Sequence, residues 1–358
     1  MHRPLAGRST DPEPGPQVRF CTTPTGVRIA YTTVGRGPGL VVPAGWIGHV
    51  ELLWRDPTFR AFYAPLAACR TLVHYDKPGC GLSGPGPAGR TLDMDLEVLQ
   101  AVADHLALDR VDLFGISTGA PVSVAFAALQ PARVRRLVLY GGYANGHQIA
   151  TAEVRAAVID LVRAHWGLGS EVLADIFLPD GSPEDRARFA RLQRGSASAE
   201  VAGELLAQCF EVRVDHLLGR VTAPTLVLHR RGDRAIPSRL GRELAAGIQG
   251  ARLVSLAGRN HFPHAGDTAS VVHAILEFLG EIPDARPQPS ARRQRGTLTA
   301  RQLQVAALVA EGLTNRQIAE RLGIEERSAE GHVERIRQQL GVTSRTQVAT
   351  WWAGRFHI

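Results

Sequence analysis

At 358 residues the chain is longer than one small domain and fits one large folded unit plus a smaller one. Its 44% hydrophobic and 21% charged content is that of a globular protein with a sizeable core, and no run approaches the ~20 consecutive apolar residues a bilayer span needs, so no membrane role is expected. The formal net charge of +7 is weighted towards the end of the chain, where residues 281–358 hold 12 Arg against 8 Asp and Glu, a balance that fits contact with nucleic acid.

The opening MHRPLAGRSTDPEPGPQ has no apolar segment of the secretory kind and reads as a Pro-rich disordered tail over residues 1–17. The four cysteines, Cys21, Cys69, Cys80 and Cys209, are scattered, with no C-x-x-C pair. They are expected to be free thiols in a reducing cytoplasm, and neither a metal site nor a cofactor is expected. From residue 18 to about 280, short β-rich runs (VRFCTT, VRIAYTTV, LVVPA, TLVHYD, RVDLFGI, VRRLVLYG, PTLVLHR, ARLVSLA) alternate with amphipathic helical stretches. That alternation predicts an α/β fold with a mainly parallel sheet covered on both faces. Residues of about 145–218 interrupt it with helical sequence alone and are expected to form a cap inserted after the sixth strand. No internal repeat is visible.

FGISTG, Phe114–Gly119, sets Ser117 between the fifth strand and the helical run TGAPVSVAFAALQ. A serine in a G-x-S-x-G turn is held by a strained backbone that projects its hydroxyl, with helix amides close by. The motif alone is weak, since Gly-rich chains contain such matches by chance. Its partners strengthen it. Asp233 follows the strand APTLVLHR and His261 follows ARLVSLA, 28 residues later, so both belong at the C-terminal ends of neighbouring strands, in the order Ser, Asp, His. In that arrangement His261 takes the Ser117 proton and Asp233 fixes the imidazole tautomer. His264 is the rival base. The position after the sixth strand, YGGYANGH, offers no carboxylate, which favours Asp233. The oxyanion donors are expected to be the backbone amides of Thr118 and of Trp46 in PAGWIGHVELLW.

On these residues the stretch of about 18–280 resembles the α/β-hydrolase superfamily, and within it a subgroup often fused to adenylate cyclase or DNA-binding output domains. PAGWIGHVEL, DKPGCGLS at Asp76–Ser83, and HRRGDRAIP carry the closer likeness. Two departures stand out: Thr118 and Ala120 occupy positions where such proteins commonly have Glu and Gly, and RNHF replaces a more acidic lead-in to the histidine. Both reshape the pocket, so the resemblance carries over no substrate class.

EIPDARPQPSARRQRG, residues 281–296, holds three prolines and four arginines and reads as a semi-extended linker. A second domain is expected over 297–358 as four short helices: ARQLQVAALVAEG capped by Thr299 and ended by Gly312; NRQIAERL capped by Thr314 and followed by Gly323; EERSAEGHVERIRQQLG; and RTQVATWWAG capped by Ser344. Ile318, Ala319, Leu322, Ile324, Val333, Ile336 and Leu340 are spaced to form one small core, a helix-turn-helix plan. LTARQLQV, EGLTNRQIAERLGI, HVERIRQQLGV and SRTQVA make this segment resemble the LuxR-type helix-turn-helix family, with Gln302, Gln304 and Glu330 as departures. The resemblance implies phosphate contacts from Thr314, Asn315 and Arg316, and a groove-facing set of Arg327, Ser328, Gly331 and Arg335. For each arginine the competing role is a surface ion pair, as between Arg327 and Glu330 or Glu334. His332 reads as a packing or phosphate residue, and Val348, Trp351 and Trp352 suggest a hydrophobic face for a homodimer.

Together these readings imply a one-component transcription regulator. Its hydrolase-like domain would sense a small carbonyl-bearing molecule and its C-terminal domain would bind double-stranded promoter DNA. The alternatives are a working esterase or lactonase tethered to DNA and a pseudo-enzyme, which the complete triad disfavours.

Overall fold

The protein is described by a computed structural model that covers residues 15–87, 89–282, 298, 300–340, 342 and 344–356. The expected tail at 1–14, the linker from 283 to 296 and the Thr299 cap lie outside the described residues. The described residues fall into two compact units divided between Pro283 and Asp284.

The first unit runs β1 (Val18–Thr22), β2 (Arg28–Gly35), β3 (Gly39–Val42), α1 (Val50–Arg55), α2 (Pro57–Ala67), β4 (Thr71–Tyr75), α3 (Leu92–His105), β5 (Val111–Ile116), α4 (Gly119–Leu129) and β6 (Val134–Tyr140). Four helices follow, α5 (Ala152–Ala164), α6 (Trp166–Phe177), α7 (Pro183–Ser196) and α8 (Ala199–Glu211), before β7 (Thr225–Arg230), α9 (Ser238–Gly247), β8 (Arg252–Leu256) and α10 (Thr268–Leu279). The eight strands make one sheet in the order β1-β2-β4-β3-β5-β6-β7-β8. The β1–β2 and β2–β4 pairs are antiparallel and the rest parallel.

Each of the eight β-rich runs becomes a strand, and the central ones read as they do because both faces are covered. All six residues of β7 are buried, as are five of six in β5. The core on one face joins α3, α4 and α9 residues to the sheet, and that on the other joins α2 and α10. Asp112 on β5 is a charge buried in the sheet, and Arg70 and Arg135 neutralise it at 3.3 and 2.6 Å. Registers that align Ile116 with Tyr140, and Tyr140 with Leu228, bring the C-terminal ends of β5, β6 and β7 side by side. In an open parallel sheet this edge is where ligands bind.

The second unit holds α11 (Ala300–Ala310), α12 (Asn315–Leu322), α13 (Glu326–Leu340) and α14 (Arg345–Phe356). A reciprocal cap starts α12: Thr314 Oγ1 accepts from Gln317 N, and Thr314 N donates to Gln317 Oε1 at 2.8 Å. Gly323, at φ 62°, ends it. Ile318, Ala319, Val333 and Ile336 are buried with Val305 and Val309 of α11, while Leu322, Ile324 and Leu340 pack at the margin. Val348 differs from expectation. It is fully buried in this domain's own core, with Trp351 and Trp352 packed against it, because α14 must cover α11 for so small a domain to exclude water. It therefore offers no surface to a second copy.

Candidate functional site

Ser117 lies one residue beyond β5 at φ 54°, a left-handed backbone that a side chain rarely adopts. The turn is held by Ser117 N donating to Tyr140 O at 2.9 Å and by Ala120 N donating to Ser117 O at 3.0 Å. Two glycines make room for it. A Cβ on Gly115 would fall 2.5 Å from Ser123 Oγ, and one on Gly119 2.7 Å from Pro43 O.

Asp233 and His261 come together. His261 Nδ1 donates to Asp233 Oδ2 at 2.8 Å with both side chains almost wholly buried. Asp233 Oδ1 accepts from Ala235 N at 2.9 Å and Ile236 N at 3.1 Å, so the carboxylate is fixed by its own loop. The imidazole stacks on Phe177 of α6, ring centroids 5.3 Å apart, and His261 N donates to Phe177 O. The four-helix insertion thus clamps the histidine loop. His261 Nε2 is buried and has no hydrogen-bond partner among the described residues, Ser117 included. The amides of Trp46 and Thr118 likewise donate to no protein acceptor among the described residues. His264, the rival, lies apart from Asp233: its ring stacks on Phe262 and meets Phe59, and burial lowers its pKa to about 4.

Two neighbours escaped the sequence reading. Gly141, at φ 55° just past β6, sits where a Cβ would come within 3.2 Å of His261 Cε1 and 3.4 Å of Asp233 Oδ2. His229 on β7 lies 3.6 Å from Asp233 Oδ2 and donates through Nε2 to Ile236 O, kept neutral by burial. The signals were a glycine pair directly after the sixth strand and a histidine inside an otherwise apolar, two-face-buried run.

The DKPGCGLS turn is a structural pin. Asp76 Oδ1 and Oδ2 accept from Val50 N and Leu82 N at 2.7 and 2.9 Å, and burial raises its pKa to about 7. Lys77 Nζ reaches Asp95 at 3.0 Å, and Gln208 of α8 donates to the same carboxylate at 2.9 Å, tying the insertion to the sheet unit. Among the described residues no cluster of His, Cys, Asp and Glu could hold a metal ion, and the four cysteines are free thiols.

Residues 40–274 match the family described as the alpha/beta hydrolase family. The chain belongs to the alpha/beta hydrolase family. This hydrolase-family chain is 31% identical over 278 residues to the 2-hydroxy-6-oxononadienedioate/2-hydroxy-6-oxononatrienedioate hydrolase of Cupriavidus pinatubonensis, covering 73% of this chain and 95% of that one. It is 28% identical over 255 residues to the enzyme of the same name from Escherichia coli K12, covering 68% and 84%. Solved structures similar in fold include a hydrolase from Pseudomonas aeruginosa (24% identity, TM-score 0.63, 74% of this chain and 98% of that one) and the enol-lactonase from Burkholderia xenovorans (21%, 0.62, 74% and 100%).

Residues 296–352 match the bacterial regulatory proteins of the luxR family, so the hydrolase-family unit is joined to a helix-turn-helix DNA-binding domain. On that domain Thr314, Arg316, Arg327, Ser328 and Arg335 are exposed, while Asn315 and Gly331 are half-buried. Arg316 pairs with Glu320 at 3.3 Å and Arg335 donates to Gly331 O at 3.0 Å. The Asn315 side chain accepts at Oδ1 from Arg345 at 2.7 Å. Arg327 makes neither of the ion pairs weighed for it: among the described residues it has no carboxylate partner, and Glu334 is taken by Arg337 at 2.9 Å. His332 is half-buried, with its pKa lowered by burial first and by Arg335 and Arg301 second. Among the described residues no helix is long and apolar enough to cross a membrane.

Proposed function

We propose that the protein is a one-component transcription regulator. Its hydrolase-fold unit binds a small carbonyl-bearing molecule, ester- or lactone-like, beneath the helical cap and thereby sets the operator affinity of the luxR-family domain, with a homodimer as the binding form. The observation that carries this reading is the joining, in one chain, of a DNA-binding domain to a hydrolase-family unit whose Asp233–His261 pair lies 2.8 Å apart at the sheet edge that bears Ser117.

Chemically, Ser117 is the nucleophile, His261 Nε2 takes its proton, and Asp233 holds the imidazole with Nδ1 protonated and stabilises its charged form. The free amides of Trp46 and Thr118 meet the developing oxyanion. Donors that hold an oxyanion also hold a ground-state carbonyl, so the same site serves recognition when turnover is slow. At the other end of the chain Thr314, Asn315 and Arg316 meet phosphates, and Arg327, Ser328, Gly331 and Arg335 meet the groove.

Ser117→Ala tests the reading. Hydrolysis of p-nitrophenyl esters should vanish while ligand-dependent operator affinity persists. If the variant still binds ligand but its operator affinity no longer responds, acylation itself is the signal. The second reading, a working esterase or lactonase with DNA binding as a tether, draws on the same Asp233–His261 contact and on the 31% identity to a hydrolase. Wild-type turnover of a physiological ester near the ~10 s⁻¹ typical of enzymes would favour it over sensing.

A further inference from the structure

A cavity of about 1060 Å³ opens beside the candidate triad, walled by the loop after β3, by α1 and α2, by the end of α6 with α7, and by the loop after β8. Ser117, Asp233 and His261 do not line it, but their chain neighbours Ile116, Asn260 and Phe262 do. One part of its wall is a continuous aromatic array. Phe59 lies 4.6 Å from Tyr63, 5.4 Å from His74 and 5.6 Å from His264, measured between ring centroids. Tyr63 and His74 meet edge to face at 4.6 Å.

Three polar groups in this wall lack partners. His74 is 9% exposed and lines the cavity, yet both of its ring nitrogens are buried without a hydrogen bond. Neither the Tyr63 hydroxyl nor the His264 ring has a hydrogen-bond partner among the described residues, though both line the cavity. A buried polar group is ordinarily satisfied, so the two open His74 nitrogens, with two more unpaired polar groups beside them on the cavity wall, mark a place where something else supplies the partner.

The charged groups of the wall are already engaged. Arg188 pairs with Asp56 at 3.0 Å and Asp185 at 2.7 Å, Arg259 with Asp180, and Arg55 with Glu51. The buried Arg230 guanidinium is spent on Tyr140 Oη and the carbonyls of Ala257, Ala265 and Asp267. Arg191 alone among the described lining cations has no ion pair or hydrogen bond, and it is exposed. An anionic ligand would therefore lose its hydration without gaining an interior cation, and a cationic one would meet no free carboxylate. Burial holds both histidines neutral, His74 at about 3 and His264 at about 4.

We propose that this cavity is the ligand chamber and takes an uncharged, flat, aromatic or conjugated molecule whose hydrogen-bonding groups meet Tyr63, His74 and His264 while its carbonyl lies at the Ile116 end, next in the chain to Ser117. The inference rests on the sensing reading above and names its ligand class. It sets the chain apart from relatives whose names specify dioate substrates.

Calorimetric titration of the full-length protein with 6-hydroxy-2-acetylnaphthalene, a neutral aryl ketone whose ring hydroxyl can bond Tyr63 and His264, and with 6-hydroxy-2-naphthoate, its anionic counterpart in shape, tests it. The ketone should bind at least tenfold more tightly. Tyr63→Phe and His264→Phe, which keep the rings and delete the polar groups, should each weaken it roughly three- to tenfold, as loss of one hydrogen bond does. Equal or tighter binding of the naphthoate overturns the proposal, as does failure of the ketone to bind, or a ketone affinity that neither substitution changes. Selective ketone binding that leaves operator affinity unmoved supports the chamber's ligand class and overturns the sensing role instead.

Discussion

At Ser117 the chain accepts a φ of 54° that costs of order 1–3 kcal/mol for a residue with a side chain, and the turn persists because its neighbours over-determine it. His74 presents the same kind of cost in another form: an imidazole buried without a partner can remain only while neutral. Burial lowers its pKa from the ordinary 6.5 to about 3. The unfolded chain takes up a proton below pH 6.5 and the folded one does not, so this contribution to stability is present above pH 6.5 and is lost as pH falls towards 3. Asp76, raised to about 7, works the other way, contributing most below its ordinary carboxylate pKa and less as pH rises through 7. The two oppose each other in the wild type, and a variant separates them. His74→Phe should gain roughly 2 kcal/mol of stability relative to wild type between pH 7.5 and pH 5, a change readable by urea unfolding at the two pH values. Parallel pH profiles for the two proteins would mean that His74 is not held neutral.

Among the elements, α12 and α13 carry the clearest division between fold and function. The α12 cap uses Thr314 and Gln317 on each other, and the buried faces of the two helices supply Ile318, Ala319, Val333 and Ile336 to one core. What remains outward on α13 includes Arg327, exposed and without a carboxylate partner among the described residues. An arginine so presented keeps its fork for an acceptor outside the chain. Arg327→Ala should cost at least ~1 kcal/mol of specific operator binding, the lower end for a base contact, with a smaller loss on non-specific DNA. Gel-shift titrations at fixed salt measure it, and an unchanged affinity removes Arg327 from the groove. Arg316, already paired with Glu320 at the surface, should matter less for sequence preference than for salt dependence.

For the molecule as a whole, two units with separate cores imply two separable stabilities. Val348 belongs to the smaller one, where it is fully buried. Val348→Asp places a carboxylate in that core without a partner and should cost about 3 kcal/mol or more, enough to unfold so small a domain. Differential scanning calorimetry should then show loss of the lower-enthalpy transition and retention of the hydrolase-unit transition, along with loss of operator binding and survival of any esterase activity. If both transitions stay in place, α14 is not part of that core. A change in self-association alone would return Val348 to the surface role its sequence position suggests.

The local rules were legible in the chain itself. Alternating runs named all eight strands, because a central parallel strand buried on both faces must be apolar throughout. Glycines at 115 and 119 and the order Ser117, Asp233, His261 marked the edge where chemistry is expected, because only strand ends present side chains to a ligand. Thr314 marked the start of α12 as its cap, and the structure adds the reciprocal bond from Gln317. Contacts between residues far apart in the chain were not legible. Whether Val348 faces a partner or its own core depends on where α14 packs, and an apolar residue reads the same in either case. Gly141 became significant only when β6 was set beside β5 and β7, so that its missing side chain left room for His261. The chamber is the furthest example: Tyr63, His74 and His264 lie on α2, β4 and the loop after β8, and no periodicity relates them. Sequence patterns determine which surface each element buries, whereas a cavity is what several packed elements jointly leave unfilled, and only the tertiary structure decides that.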